Sequence, residues 1–119
     1  MIKTEPISAK VLKIVPSGKL TEDDFRLLAR EVDAMIAKSG QIRLLIDASG
    51  FGGWENFAGF QAHGSFIKNH QRNVARLAVI VGHGWQHWLV DTVRMFLHPD
   101  ARAFEKSREY EAQEWVTGP

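Results

Sequence analysis

The sequence has no cysteine, four prolines and no long apolar run. Without a thiol there is no disulfide scaffold, no Cys-ligated zinc or iron–sulfur site and no thiol catalysis. The longest unbroken apolar stretch, Leu77–Val81, is five residues, where a membrane-spanning helix needs about 20. The N-terminus shows no h-region of a secretory signal, which predicts a cytoplasmic protein. An excess of one charge is also missing: 15 Lys and Arg stand against 14 Asp and Glu in 119 residues, a formal net charge of +1. That balance gives no reason to expect a nucleic-acid partner. No low-complexity tract marks a linker, and this length with 45% hydrophobic residues fits one domain, residues 1–119, around one core.

The even balance hides a local imbalance. Between Glu55 and Asp91 there is no carboxylate, while Lys68, Arg72 and Arg76 lie in that stretch with His63, His70, His83 and His87. The C-terminal stretch compensates with Asp100, Glu105, Glu109, Glu111 and Glu114. A basic middle is either a solvated face or a surface for phosphates or anionic lipid.

The apolar pattern lays out the elements. Ile2 to Glu5 and Val11–Val15 read as strands, the second closed by Pro16 and Ser17–Gly18. Thr21–Glu22–Asp23–Asp24 is a capping-box pattern opening a helix of about 18 residues. Phe25, Leu28, Val32 and Met35/Ile36 recur at helical spacing, and Gly40 stops the run. A strand at Arg43–Asp47, a glycine-laden loop at 49–53, a helix from Trp54 to Asn69 and a strand at Arg76–Val81 follow. That strand is apolar on both faces and so expected to be central. A third helix from Trp85 to Leu97 must stop before Pro99. A short strand at Ala101–Phe104 and an amphipathic helix at Lys106–Trp115, anchored by Tyr110 and Trp115, complete the chain. The order ββαβαβαβα predicts an α/β domain with a mixed, mostly parallel sheet.

Little in this pattern carries chemistry. Gly50–Phe51–Gly52–Gly53 follows a strand and precedes a helix, but a dinucleotide fingerprint needs glycine where Glu55 stands, and no lysine completes a P-loop. His83 and His87 have the i, i+4 spacing of two metal ligands. Asp91 continues that row about 12 Å along the helix, too far to share one ion. With no third ligand evident, the histidines read as surface residues. No nucleophile has a local catalytic signature such as G-x-S-x-G, so neither a catalytic residue, a metal nor a cofactor is expected.

Aromatics are the unusual content. Trp54, Phe57, Phe60 and Ile67 form one stripe of the second helix and Ala58, Ala62 and Phe66 another, more apolar surface than one sheet contact requires. Gly59 and Gly64 interrupt the same helix at a cost of about 1 kcal/mol each relative to alanine. In the third helix Trp85, Trp88, Leu89, Val90, Val93, Met95, Phe96 and Leu97 leave only His87, Asp91 and Arg94 as a polar stripe. Either these faces fill the core, or they form an aromatic cleft for an apolar ligand, a membrane surface or a partner.

The runs Ser17–Gly18–Lys19–Leu20–Thr21, Ile42–Arg43–Leu44–Leu45–Ile46–Asp47, Phe51-x-Gly53–Trp54 and Ala78–Val79–Ile80–Val81–Gly82, followed by Trp85–Gln86-x-Trp88, resemble the small bacterial SpoIIAA-like proteins. These belong with the STAS domains, the fold of sulfate-transporter tails and anti-sigma factor antagonists. The resemblance implies a sheet of four to five strands flanked by four helices. It also suggests lipid or apolar-ligand binding through a distant likeness to CRAL-TRIO domains. Anti-sigma factor antagonists carry a phosphorylatable serine at the start of the helix after the third strand. Here Gly53–Trp54–Glu55–Asn56 hold that place, no Ser or Thr occurs from Gly50 to Gly64, and Ser49 sits too early.

The resulting expectation is a non-enzymatic domain that binds an apolar small molecule or lipid, or the membrane periphery, through an aromatic cleft. Trp54, Phe57, Phe60, Trp85, Trp88 and Phe96 would line that cleft, and Lys68, Arg72 and Arg76 would meet an anionic surface. The alternative is a regulatory protein-interaction module of anti-sigma factor antagonist type lacking the serine. Either form is compatible with a homodimer.

Overall fold

In the computed structural model, which describes residues 1–82 and 100–119, the chain begins with β1 (Ile2–Pro6), β2 (Val11–Pro16), β3 (Gly18–Leu20) and α1 (Glu22–Ser39). It continues through β4 (Ile42–Asp47), β5 (Phe51–Trp54), α2 (Phe57–His70) and β6 (Val74–Val81) to β7 (Ala101–Glu105) and α3 (Glu109–Thr117). One sheet takes the order β1-β2-β4-β6-β7. Only β1 runs antiparallel, hairpinned to β2; the other pairs are parallel. The α/β class and the mixed, mostly parallel sheet expected from the element order are therefore present; β4 is the central strand, and β6 is interior, between β4 and the edge strand β7. Three α-helices occur among the described residues, and the helix expected from Trp85 to Leu97 lies outside them.

Alternation along the strands sorts the core into two layers. On one face Leu12, Ile14, Ile42, Leu44 and Val74 pack with Leu28 and Val32 of α1 and Phe66 of α2. On the other, Val11, Leu45, Ala78 and Ile80 meet Ala112 and Val116 of α3. The capping box forms as its spacing requires: the Thr21 hydroxyl accepts the Asp24 amide at 3.1 Å and the Asp24 carboxylate accepts the Thr21 amide at 2.9 Å. The acidic first turn also meets the positive end of the helix dipole.

Three expectations shift. Trp54 does not begin a helix: Gly53 takes φ 99°, a left-handed geometry suited to glycine, and Trp54 ends β5. The helix starts three residues later, where the Asn56 side chain accepts the Gly59 amide at 3.0 Å. The glycine-laden stretch expected as a loop at 49–53 instead forms, from Phe51, half of a two-stranded parallel ribbon, β3 with β5. The last helix begins at Glu109 after a single 3-10 turn at Lys106–Arg108, and Tyr110 is exposed rather than an anchor. Trp115 does anchor it, 6.1 Å from the Phe104 ring.

The two glycines of α2 differ. A Cβ on Gly64 would meet nothing within 4 Å, so the helix there carries only the entropy cost of glycine. Gly64→Ala is expected to raise stability by about 1 kcal/mol, read as a higher urea midpoint with unchanged slope.

Candidate functional site

The site follows from how β4 hands the chain to α2. After Asp47 one 3-10 turn leads into β5, whose Gly52 passes so close to β3 that a Cβ would lie 2.9 Å from the Gly18 carbonyl carbon. This contact brings Trp54 and the start of α2 over the end of β2. Trp54 packs edge-on to Phe51 at 5.4 Å and to Phe60 at 4.9 Å. Its indole Nε1–H donates to His63 Nδ1 at 3.1 Å. The His63 ring in turn stacks on Phe25 of α1 at 4.8 Å and 16°. Burial depresses the His63 pKa from 6.5 to about 4, because the apolar surround disfavours the charged imidazolium.

Between the sheet and α2 is a cavity of about 430 Å³. Its walls are Ile2, Ile14, Pro16, Leu20, Leu28, Leu44 and Ile46 on one side, with Phe51, Trp54, Phe60, His63, Phe66 and Ile67 on the other. Val74, Leu77, Val79 and Val81 of β6 line it as well. The volume falls in the usual range for small-molecule sites, and the walls are apolar in the same way.

The structure places the expected site residues unequally. Trp54 and Phe60 line the cavity. Phe57 is 69% exposed and points away from the core, with half-exposed Phe60 stacked beside it at 6.1 Å. Lys68 and Arg72 are exposed at the far end of α2 and in the turn after it. Trp85, Trp88 and Phe96 lie outside the described residues, as do His83, His87 and Asp91. Among the described residues no three His, Asp or Glu side chains converge as metal ligands, and no helix is long and apolar enough to cross a membrane.

Arg76 is a correction. Val74 lies opposite Ile42 but Arg76 lies opposite Arg43, so Ala75 is an extra residue in β6. Such a bulge alters which face the next side chains take. Arg76 consequently sits on the α3 side, away from Lys68 and Arg72. Its guanidinium donates to the carbonyls of Trp115 at 2.9 Å and Pro119 at 2.7 Å and lies over the Trp115 ring. It caps a helix end, as a cation favourably does, and is not placed to meet an anionic surface with the other two.

His70 is a second correction, because it is only 6% exposed and not a surface residue. Its Nδ1 lies 2.7 Å from the Phe66 carbonyl oxygen and its Nε2 2.8 Å from Asp33 Oδ1, tying the end of α2 to α1. His63 escaped the sequence reading as a site residue. The available signal was its i, i+3 spacing from Phe60, which puts both on one helical face.

On the opposite face Asp47, 6% exposed, accepts Ser49 Oγ–H at 2.6 Å and Lys106 Nζ at 2.5 Å. Burial pushes its pKa up, but the bonds from Lys106 and Ser49 outweigh burial and the net shift is downward. Lys106 is raised by the same contact. Ser49 donates to an ionised Asp47 whose lowered pKa makes it a weak base for that proton. This cluster is an ion-paired brace between β4 and the turn before α3.

Comparison with known proteins agrees with this geometry. A family model described as SpoIIAA-like matches residues 11–117, while no curated protein matches. An uncharacterised protein with a SpoIIAA-like fold from Shewanella loihica is 22% identical, with a TM-score of 0.81 over 98% of this chain and 92% of its own. The unphosphorylated anti-sigma factor antagonist SpoIIAA is 11% identical, with a TM-score of 0.68 over the full length of both chains. The phosphorylated Bacillus cell fate determinant SpoIIAA is 8% identical, with a TM-score of 0.61 over 93% of this chain and 97% of its own.

Proposed function

The chain belongs to the SpoIIAA-like family, and from that premise we propose that it is a non-enzymatic regulatory module which binds a protein partner through the start of α2. The observation that carries this reading is the pair Phe57 and Phe60, 69% and 50% exposed on the first turn of a capped helix. Exposed aromatics on a rigid element supply much contact area at little entropic cost, and such residues dominate binding energy at interfaces. In the anti-sigma factor antagonists this helix start carries a phosphorylatable serine, and SpoIIAA itself has been described in phosphorylated and unphosphorylated forms. Here Asn56 is the cap and Phe57 the first helical residue, so neither position offers a hydroxyl. Partner binding at this helix would therefore be constitutive with respect to phosphorylation.

The double variant Phe57→Ser, Phe60→Ser tests this. Its unfolding free energy is expected to fall by about 1 kcal/mol, the loss of the edge-on Phe60–Trp54 contact, with the fold retained. A partner retained by the wild type in a native-lysate pull-down, identified by mass spectrometry and reconstituted with purified components, is expected to be lost. A partner held equally by both forms would overturn the assignment of this surface.

The cavity favours a second reading, in which an apolar small molecule or lipid binds between the sheet and α2 with Trp54 and Phe60 in its wall. A peripheral contact of Lys68 and Arg72 with anionic headgroups belongs to the same reading. Cosedimentation with anionic vesicles above that with neutral ones, reduced by charge reversal at Lys68 and Arg72, is the expected result; equal, negligible binding to both removes the membrane contact.

A further inference from the structure

We infer that the cavity beside α2 takes an apolar molecule carrying one uncharged acceptor oxygen, such as a ketone, aldehyde or ester, bound at that oxygen by the Nε2–H of His63. This rests on the apolar-ligand reading above and adds the chemistry of the polar end.

The tautomer of His63 follows from its neighbour. An indole N–H can only donate, and that of Trp54 sits 3.1 Å from Nδ1, so Nδ1 must present its lone pair and the ring proton must be on Nε2. Stacking on Phe25 fixes the ring plane from the other side. The Nε2–H has no protein partner among the described residues, yet it belongs to a side chain in a predominantly apolar wall. A donor in such a place is unfavourable until an acceptor meets it. Burial keeps the ring neutral down to about pH 4, so the same tautomer persists through the neutral range.

The remaining polar groups of the wall narrow the ligand. Both nitrogens of His70 are engaged. Gln71 follows the last turn of α2, and Asp100, exposed, precedes β7. Among the described residues no lysine or arginine lines the cavity. A carboxylate or phosphate entering it would lose its hydration with no cation in the described wall to offset the loss and would face Asp100, a combination that strongly disfavours burial. A neutral oxygen needs only one donor, and His63 provides it. At about 430 Å³ the space exceeds the roughly 150 Å³ that suffices for benzene in a dry apolar cavity.

Acetophenone, cumene and benzoate have equal numbers of heavy atoms and similar shape, and differ in bearing a ketone, an alkyl group or a carboxylate. In proton–nitrogen correlation spectra of the wild-type protein, acetophenone is expected to shift the His63 Nε2 resonance and cumene to leave it in place, while methyl proton–carbon spectra show both perturbing the lining methyls. Titration of His63→Phe is expected to show acetophenone weakened about fivefold more than cumene, the loss of one neutral hydrogen bond. Benzoate is expected to bind more weakly than either. Equal losses for acetophenone and cumene, or benzoate binding tighter than acetophenone, would overturn the inference while leaving an apolar site in place. Failure of all three to bind would overturn the apolar-ligand reading and this inference with it. Should His63→Phe not fold, the wild-type spectra decide, and an Nε2 signal unmoved at acetophenone saturation counts against it.

Discussion

Lowering the pH from 6.5 to about 4 is expected to remove about 2–3 kcal/mol of folding stability from the wild-type protein through His63 alone, and almost none through that position in His63→Gln. Burial lowers the pKa of this imidazole in the folded state to about 4. In the unfolded chain it titrates near its ordinary value of 6.5. Above that value both states are neutral and the full stability is present. Within the window the unfolded state binds the proton first, so stability falls as pH falls, by up to about 1.4 kcal/mol per unit. Below about 4 both states are protonated and the contribution is flat. Protonation of Nδ1 would also aim an N–H at the Trp54 N–H, so geometry and burial act in the same direction. The carboxyls of Asp24 and Asp47 titrate lower still. For each, burial raises the pKa, but hydrogen bonds from Thr21 to Asp24, and from Lys106 and Ser49 to Asp47, more than offset it. Their losses therefore fall below the ordinary carboxylate value of 3.8, outside the His63 window. Glutamine keeps an acceptor oxygen for Trp54 without titrating, which isolates the proton from the hydrogen bond. Urea unfolding at about pH 7.5, 5.5 and 4.5 gives the comparison. Parallel stability curves for the two proteins would contradict the account.

The parts of this molecule that the sequence discloses are those decided by neighbours in the chain. The Thr21–Asp24 box, the stop at Gly40 and the alternation of Ile42–Asp47 all depend on residues within a few positions, and each appears in the structure as its spacing requires. What stayed hidden depends on distant contacts. The three-residue β3 exists because β5 pairs with it across α1 and β4. The displacement of Arg76 to the far face follows from one extra residue counted against β4, which no periodicity within β6 reveals. His70 is buried because Asp33 of α1 reaches it. The candidate site divides in the same way. Trp54 and Phe60 could be picked out as apolar excess, whereas the pairing of Trp54 with His63 spans a strand end, a cap and a helical turn. Phe57 and Phe60 were expected inside a cleft with Trp54. The later start of α2, set by the Asn56 cap, turns Phe57 outward and leaves only Phe60 of the two in the cavity wall.

Gly59→Ala is expected to destabilise the protein by about 2 kcal/mol, opposite in sign to the same change at Gly64 five residues on. A Cβ at Gly59 would lie 2.7 Å from the Leu20 carbonyl oxygen and 3.6 Å from Thr21 Cα, and backbone atoms cannot swing aside as a side-chain tip can. That carbonyl already accepts the Glu55 amide at 2.9 Å, and the next residue, Thr21, caps α1. Relieving the clash by shifting α2 strains or breaks these contacts, each worth about 1 kcal/mol, and overpacking adds about 1–3 kcal/mol. Against this stands a gain of about 1 kcal/mol in helix propensity, which leaves a clear net loss. The functional consequence is separable from the thermodynamic one. The helix start that would move carries Phe57 and Phe60, and one turn later His63, so Gly59→Ala should disturb both the exposed aromatic pair and the Trp54–His63 bond. Gly64→Ala should leave both in place. Urea midpoints for the two variants, read beside the indole proton resonance of Trp54, distinguish the cases. A Gly59→Ala protein as stable as Gly64→Ala, with that resonance unshifted, would mean that the close approach of α2 to Leu20 does not set the position of the site.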